Sequence, residues 1–275
     1  MCYVDNCNLL YFYNIMLNQT SLIFWTLGTG IFSALATGLG AIPVHFVKNN
    51  SKLVRGFASA FAAGMMISAS VFSLAQEGIA LKGKFPAAPY IVILGLLLGA
   101  GFFWWTEQMV SHHNFHQHVM TKGLFSRKSL LIFVAMFIHS IPEGIAIGVG
   151  FATGNFQFGM IMALAIAVHN IPEGIAVSLP LKAEGVSTPK CAAISILTSI
   201  PQPIMAVPSA MLTWMFQPVL PVGLGFAGGA MIYLVMSELI PDAINDGGHS
   251  LTAWGVMVGL CTMLLLTNLL NFLSF

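Results

Sequence analysis

Long apolar runs separated by short polar interruptions organise the chain, and the runs exceed what a soluble core uses. A helix that crosses a bilayer needs roughly 20 predominantly apolar residues. Stretches of that kind lie around 22–47, 53–77, 89–110, 129–151, 156–181, 190–214, 218–241 and 251–275. The pattern predicts an all-α membrane protein with eight transmembrane helices. The run LLYFYNIML at 9–17 is too short to cross. Residues 1–20 are therefore expected to form a short tail and residues 21–275 the membrane domain, with the first full span acting as the targeting signal.

Composition supports this reading. Apolar residues make up 57% of the 275 and charged residues 7%, a balance outside the range of soluble globular domains. No nucleic-acid partner is expected; the lipid bilayer is. The few cations set the orientation. Lys48, Lys52 and Arg55 lie near the first connection, Lys122, Arg127 and Lys128 near the third, and Lys182 and Lys190 near the fifth, whereas the even connections hold only Lys82 and Lys84. By the positive-inside rule the odd connections are cytoplasmic. Eight being even, both termini are then extracellular or lumenal.

Four cysteines are too few for a disulfide framework. Cys2 and Cys7 could pair on the non-cytoplasmic side, and Cys191 and Cys261 are expected to be packing residues in the membrane. The sequon Asn18-Gln19-Thr20 lies too close to the first span for use as a glycosylation site.

Two similarities run along the chain. FAAGMMI at 61–67 in the second span recurs as FAGGAMI at 226–232 in the seventh, and HSIPEG at 139–144 in the fourth recurs as HNIPEG at 169–174 in the fifth. Small residues at close helix contacts could alone explain the first pair. Both pairs nevertheless join spans that run in opposite directions, which is the mark of an inverted repeat. Spans one to three then correspond to spans six to eight, with four and five exchanged at the centre, where such carriers bind their substrate.

The second pair carries the chemistry. His139 and Glu143 share a helix face at i and i+4, as do His169 and Glu173. The prolines between them, Pro142 and Pro172, are expected to kink the helices. A carboxylate at the bilayer centre costs about 2.5–3.5 kcal/mol even on a lenient insertion scale. Two facing carboxylates would also repel. A divalent cation between them removes both penalties, and two Glu with two His is a mixed O/N donor set that suits Zn²⁺, Fe²⁺ or Mn²⁺ better than Ca²⁺ or Mg²⁺.

Ser140, Asn170, Gln202 and Met66 lie at similar membrane depth and could add ligands, Met66 taken alone being better explained as packing. His112, His113, His116 and His118 in HHNFHQH form a loop cluster that could capture metal, within a cytoplasmic connection of about 111–128. Glu77 and Glu107 sit near span ends, where protonation or a hydrogen bond would suffice. Glu238, Asp242, Asp246 and His249 could line a polar route or rest among headgroups.

These motifs resemble the ZIP family of divalent-metal transporters, in particular the GufA-like branch, which carries the PEG motif in both central helices. The resemblance covers nearly the whole chain. It implies a carrier, not an enzyme, that moves Zn²⁺, or alternatively Fe²⁺, Mn²⁺ or Cd²⁺, towards the cytoplasm without a prosthetic group, and a homodimer is compatible with it. It implies a first metal site at His139, Glu143, His169 and Glu173. A second, weaker site would draw on Ser140, Asn170, Gln202 and Met66, with Ser140 replacing the usual Asn and Gln202 a frequent Glu. A membrane metal sensor is one alternative. An intramembrane metalloprotease is another, but it needs H-E-x-x-H, which the chain lacks.

Overall fold

The structure, a computed structural model, describes residues 4–46, 52–112 and 127–273. It is helical throughout, with no strand among the described residues. In order the elements are α1 (Val4–Leu39), α2 (Ala41–Phe46), α3 (Lys52–Ser68), a π-helical segment (Ala69–Ala75), α4 (Gln76–Ala80), a short 3₁₀ turn (Leu81–Gly83) and α5 (Ala88–His112). They continue with α6 (Arg127–Ala152), α7 (Phe156–Ala183), α8 (Thr188–Thr198), α9 (Pro201–Met215), α10 (Val219–Leu234), a second π segment (Val235–Leu239) and α11 (Ile240–Leu273). Residues 4–20, expected as a tail, are the first turns of α1. Of the loop histidines, His112 ends α5, and His113, His116 and His118 lie outside the described residues.

Among the described residues, seven helical stretches are long and apolar enough to cross a membrane. The expected seventh and eighth spans form one 52-residue stretch, Val219–Leu270. At 1.5 Å per residue it would measure about 78 Å, against a hydrocarbon core of about 30 Å. The stretch is not one straight rod. Gly248 has φ 77° and ψ 171°, which breaks the helix, and glycine reaches that region without a Cβ penalty. Just before it, Asp246 accepts a two-point ion pair from Arg55 Nε and Nη2 at the start of α3. We expect Gly248→Val to lower the thermal unfolding midpoint of the purified protein, since a strained backbone of this kind costs about 1–3 kcal/mol. An unchanged midpoint would mean that the turn tolerates a side chain.

Helix packing depends on how closely the helices approach. Glycines set that distance. Gly64 of α3 lies against the carbonyl of Val256 in α11, and Gly259 of α11 lies against that of Phe61. The contact recurs elsewhere. Gly229 of α10 lies against the carbonyl of Leu96 in α5, and Gly99 of α5 against that of Phe226. Gly64 and Gly229, like Phe61 and Phe226, hold the same places in the two repeated segments. Each segment is followed within three residues by a π-helical stretch, Ala69–Ala75 in one case and Val235–Leu239 in the other. The central helices share a parallel arrangement. Gly174 of α7 abuts the Thr37 carbonyl of α1, and Gly144 of α6 abuts the Gln202 carbonyl of α9.

A buried apolar cluster that includes Met66, Leu74, Ile147, Ile166, Leu224 and Leu234 fills the space among α3, α6, α7 and α10. Cys191 is buried in a second cluster with Val177 and Leu181. Cys261 is exposed on the outer surface. The Cys2–Cys7 pairing rests on side chains outside the described residues.

Candidate metal centre

α6 and α7 run through Pro142 and Pro172 as continuous helices, and each presents its histidine one turn before its glutamate. Where the helices meet, the pairs cross. His169 Nε2 stands 3.0 Å from Glu143 Oε1, and His139 Nε2 stands 3.8 Å from Glu173 Oε1. Each histidine thus addresses the glutamate of the other helix, an arrangement that spacing along one helix does not indicate. Donor atoms of Glu143, His169 and Glu173 all lie within 4.8 Å of one another. His139 stands beside this group, next to Glu173.

All four side chains are at most 2% exposed. Buried polar atoms in native proteins almost always have partners. Here His139 Nδ1 and Nε2, His169 Nδ1, Glu173 Oε1 and Asn170 Oδ1 have none. The orphaned atoms sit on the side chains of one cluster and are of the types that ligate a divalent transition metal. Two carboxylates would neutralise such an ion, which would in turn relieve their mutual repulsion. The residues fit a metal.

A wall of neutral polar groups backs Glu143. Gln202 at the start of α9 donates Nε2–H to Glu143 Oε2. Asn170 Nδ2 donates to Gln202 Oε1 at 3.1 Å, to the Ser33 carbonyl at 2.9 Å and to Ser33 Oγ at 3.1 Å. The Gly144 contact places Gln202 here, because a Cβ at 144 would strike its backbone. Ser140 turns away, donating its hydroxyl to the Met136 carbonyl one turn back at 3.2 Å. Met66 is fully buried in the apolar cluster.

Two neighbours carried no motif to reveal them. Ser33 anchors Asn170 from α1, and the ring of Phe103 meets His139 edge-on with centroids 6.5 Å apart. A serine and a phenylalanine in apolar spans are ordinary, so only their placement marks them.

The other acids are placed separately. Glu107 accepts a 3.0 Å hydrogen bond from Tyr233 Oη. Glu77 lines a recess of about 300 Å³ together with Ser73, Gln76, Asn155 and Gln157.

Residues 106–267, more than half of the chain, match the family described as ZIP Zinc transporter. The chain is 38% identical over 237 residues to an Arabidopsis thaliana protein provisionally named a zinc transporter, covering 86% of this chain and 37% of that one. It is 35% identical over 249 residues to the zinc transporter GufA of Myxococcus xanthus, covering 87% of this chain and 98% of GufA. With the human zinc transporter ZIP11 it shares 29% identity over 335 residues, covering 90% and 98% of the two. A family match that spans α6 and α7, together with near full-length similarity to GufA, decides the matter: this chain belongs to the ZIP zinc transporter family, with its GufA-like members among its relatives.

Proposed function

We propose that this protein carries divalent transition-metal cations, Zn²⁺ first among them, across a membrane towards the cytoplasm through the centre formed by His139, Glu143, His169 and Glu173. The observation that carries the reading is the crossing of the two His/Glu pairs at full burial, with unpartnered nitrogen and oxygen atoms in one place. An ion arriving there exchanges water for these ligands. It leaves when the two halves of the fold rearrange around it. Fe²⁺, Mn²⁺ and Cd²⁺ suit the same donors and are the competing cargoes to test.

Eight crossings, an inverted repeat and termini on the non-cytoplasmic side complete the proposal. Dividing Val219–Leu270 at Gly248 gives two segments of bilayer length. Supporting the repeat are the matched glycine contacts of α3 with α11 and of α10 with α5, and the matched π segments. A homodimer is compatible with this reading.

The decisive experiment is uptake of Zn²⁺ into proteoliposomes containing the purified protein, with Fe²⁺, Mn²⁺ and Cd²⁺ as competitors and with or without a proton gradient. Saturable Zn²⁺ accumulation above protein-free vesicles is expected. Saturable binding without accumulation would favour a sensor. We further expect deletion of 112–118 to change the apparent affinity while leaving maximal flux within about threefold; a correctly folded deletion with no flux would make these histidines part of the route itself.

A further inference from the structure

We propose that Gln202, Asn170 and Ser33 form a neutral clamp that aims Glu143 at the metal and restricts the centre to one divalent cation. The inference rests on the metal centre proposed above and replaces the expectation of a second cation held by Ser140, Asn170, Gln202 and Met66.

The direction of the hydrogen bonds is decided at both ends of the chain of contacts. The backbone carbonyl of Ser33 can only accept, so the group of Asn170 that faces it at 2.9 Å is the amide nitrogen. That nitrogen also donates to Gln202, which must therefore offer its oxygen, at 3.1 Å. Gln202 is then left with its own nitrogen towards Glu143 Oε2. A carboxylate there is an acceptor, which the nitrogen satisfies. No amide can flip without breaking a bond at one end or the other. All four side chains are almost wholly buried, so water does not compete.

This polarity has two consequences. Glu143 Oε2 is occupied by an N–H, which leaves Oε1, already beside His169, as the oxygen turned to the metal. The group lying against Glu143 on its far side is also a positive dipole end, the wrong sign to receive a cation. Charge balance agrees with this. The cluster holds two carboxylates, Glu143 and Glu173, enough for one divalent ion, and no other acidic side chain among the described residues joins it. Ser140, which could have added an oxygen, spends its proton on the Met136 carbonyl.

The test counts ions. Zn²⁺ bound to the purified full-length protein is measured by equilibrium dialysis, and the ions bound by a Glu143→Ala/Glu173→Ala variant are subtracted, so that loop histidines do not contribute. One central ion per chain is expected for the unmodified protein. Gln202→Glu, nearly isosteric, should raise the count to two. Gln202→Met, which keeps the length but loses both hydrogen bonds, should keep the count at one and weaken affinity by about ten- to a hundredfold, as loss of an outer partner of a metal ligand does. Asn170→Ala should shift affinity in the same direction, which keeps the test open should either Gln202 variant fail to fold.

Two central ions in the unmodified protein, falling to one in Gln202→Met, would overturn the clamp by making Gln202 a ligand. An unaltered affinity in both Gln202→Met and Asn170→Ala would overturn it as well. If the Glu143/Glu173 variant binds as much Zn²⁺ as the unmodified protein, the metal centre itself fails, an outcome distinct from failure of the clamp.

Discussion

Replacing Glu143 by alanine is expected to abolish Zn²⁺ uptake, with flux falling more than a hundredfold to the level of protein-free vesicles. Glu143 is the residue on which most of the site converges. Its Oε1 lies beside His169, its Oε2 accepts from Gln202, and it contributes one of the two negative charges. Removing it leaves a divalent ion facing one carboxylate in a region of low dielectric, and it leaves Gln202 Nε2 without its acceptor. Loss of an outer partner alone costs about ten- to a hundredfold in metal affinity; loss of the ligand itself exceeds that. Glu143→Gln separates charge from shape, since it keeps the volume and removes the charge. It should be as inactive as the alanine variant. Glu107→Gln, whose parent side chain pairs with Tyr233, should retain most of the flux. Uptake by Glu143→Ala within a few fold of the unmodified protein would remove this residue from the metal centre.

The second large effect concerns assembly. Gly64→Ala and Gly229→Ala should each lower the unfolding midpoint of the purified protein, and by similar amounts. At both positions a new methyl group would run into a neighbouring helix's carbonyl, that of Val256 for Gly64 and that of Leu96 for Gly229. Backbone cannot turn aside as a flexible side chain can. The helices must separate, and overpacking of this kind costs about 1–3 kcal/mol. Similar losses are expected because the two glycines hold the same place in two similar segments and meet a carbonyl in the same way. Gly28, with open space around its Cβ position, supplies the control, and Gly28→Ala should leave the midpoint unchanged. A loss at Gly64 with none at Gly229 would argue against matched packing in the two halves.

Much of the centre was legible before any coordinates, for a physical reason. Charged and imidazole side chains are costly in a membrane, so His139, Glu143, His169 and Glu173 stand out against an apolar background, and their appearance as two copies of one motif makes accident a poor explanation. Gln202 and Asn170 were legible as polar residues at depth, although their hydrogen bonds were not. Their sequence positions suggested ligands, whereas their contacts form a hydrogen-bonded line ending on Glu143. Ser33 and Phe103 gave no signal, because a lone serine or phenylalanine is common in a membrane helix.

The sequence by itself determined that the molecule is helical and membrane-spanning, and the identity of the groups able to bind a cation, because hydropathy and side-chain chemistry are local properties. It also pointed to a repeat, since two pairs of segments share letters. Only the tertiary structure decided that each histidine faces the glutamate of the other helix, that Ser140 bonds to its own helix, and that Gln202 presents nitrogen rather than oxygen to Glu143. Those outcomes depend on how closely helices distant in sequence approach and how they are rotated, which the glycine contacts among α1, α6, α7 and α9 set. No pattern within a single span carries that information.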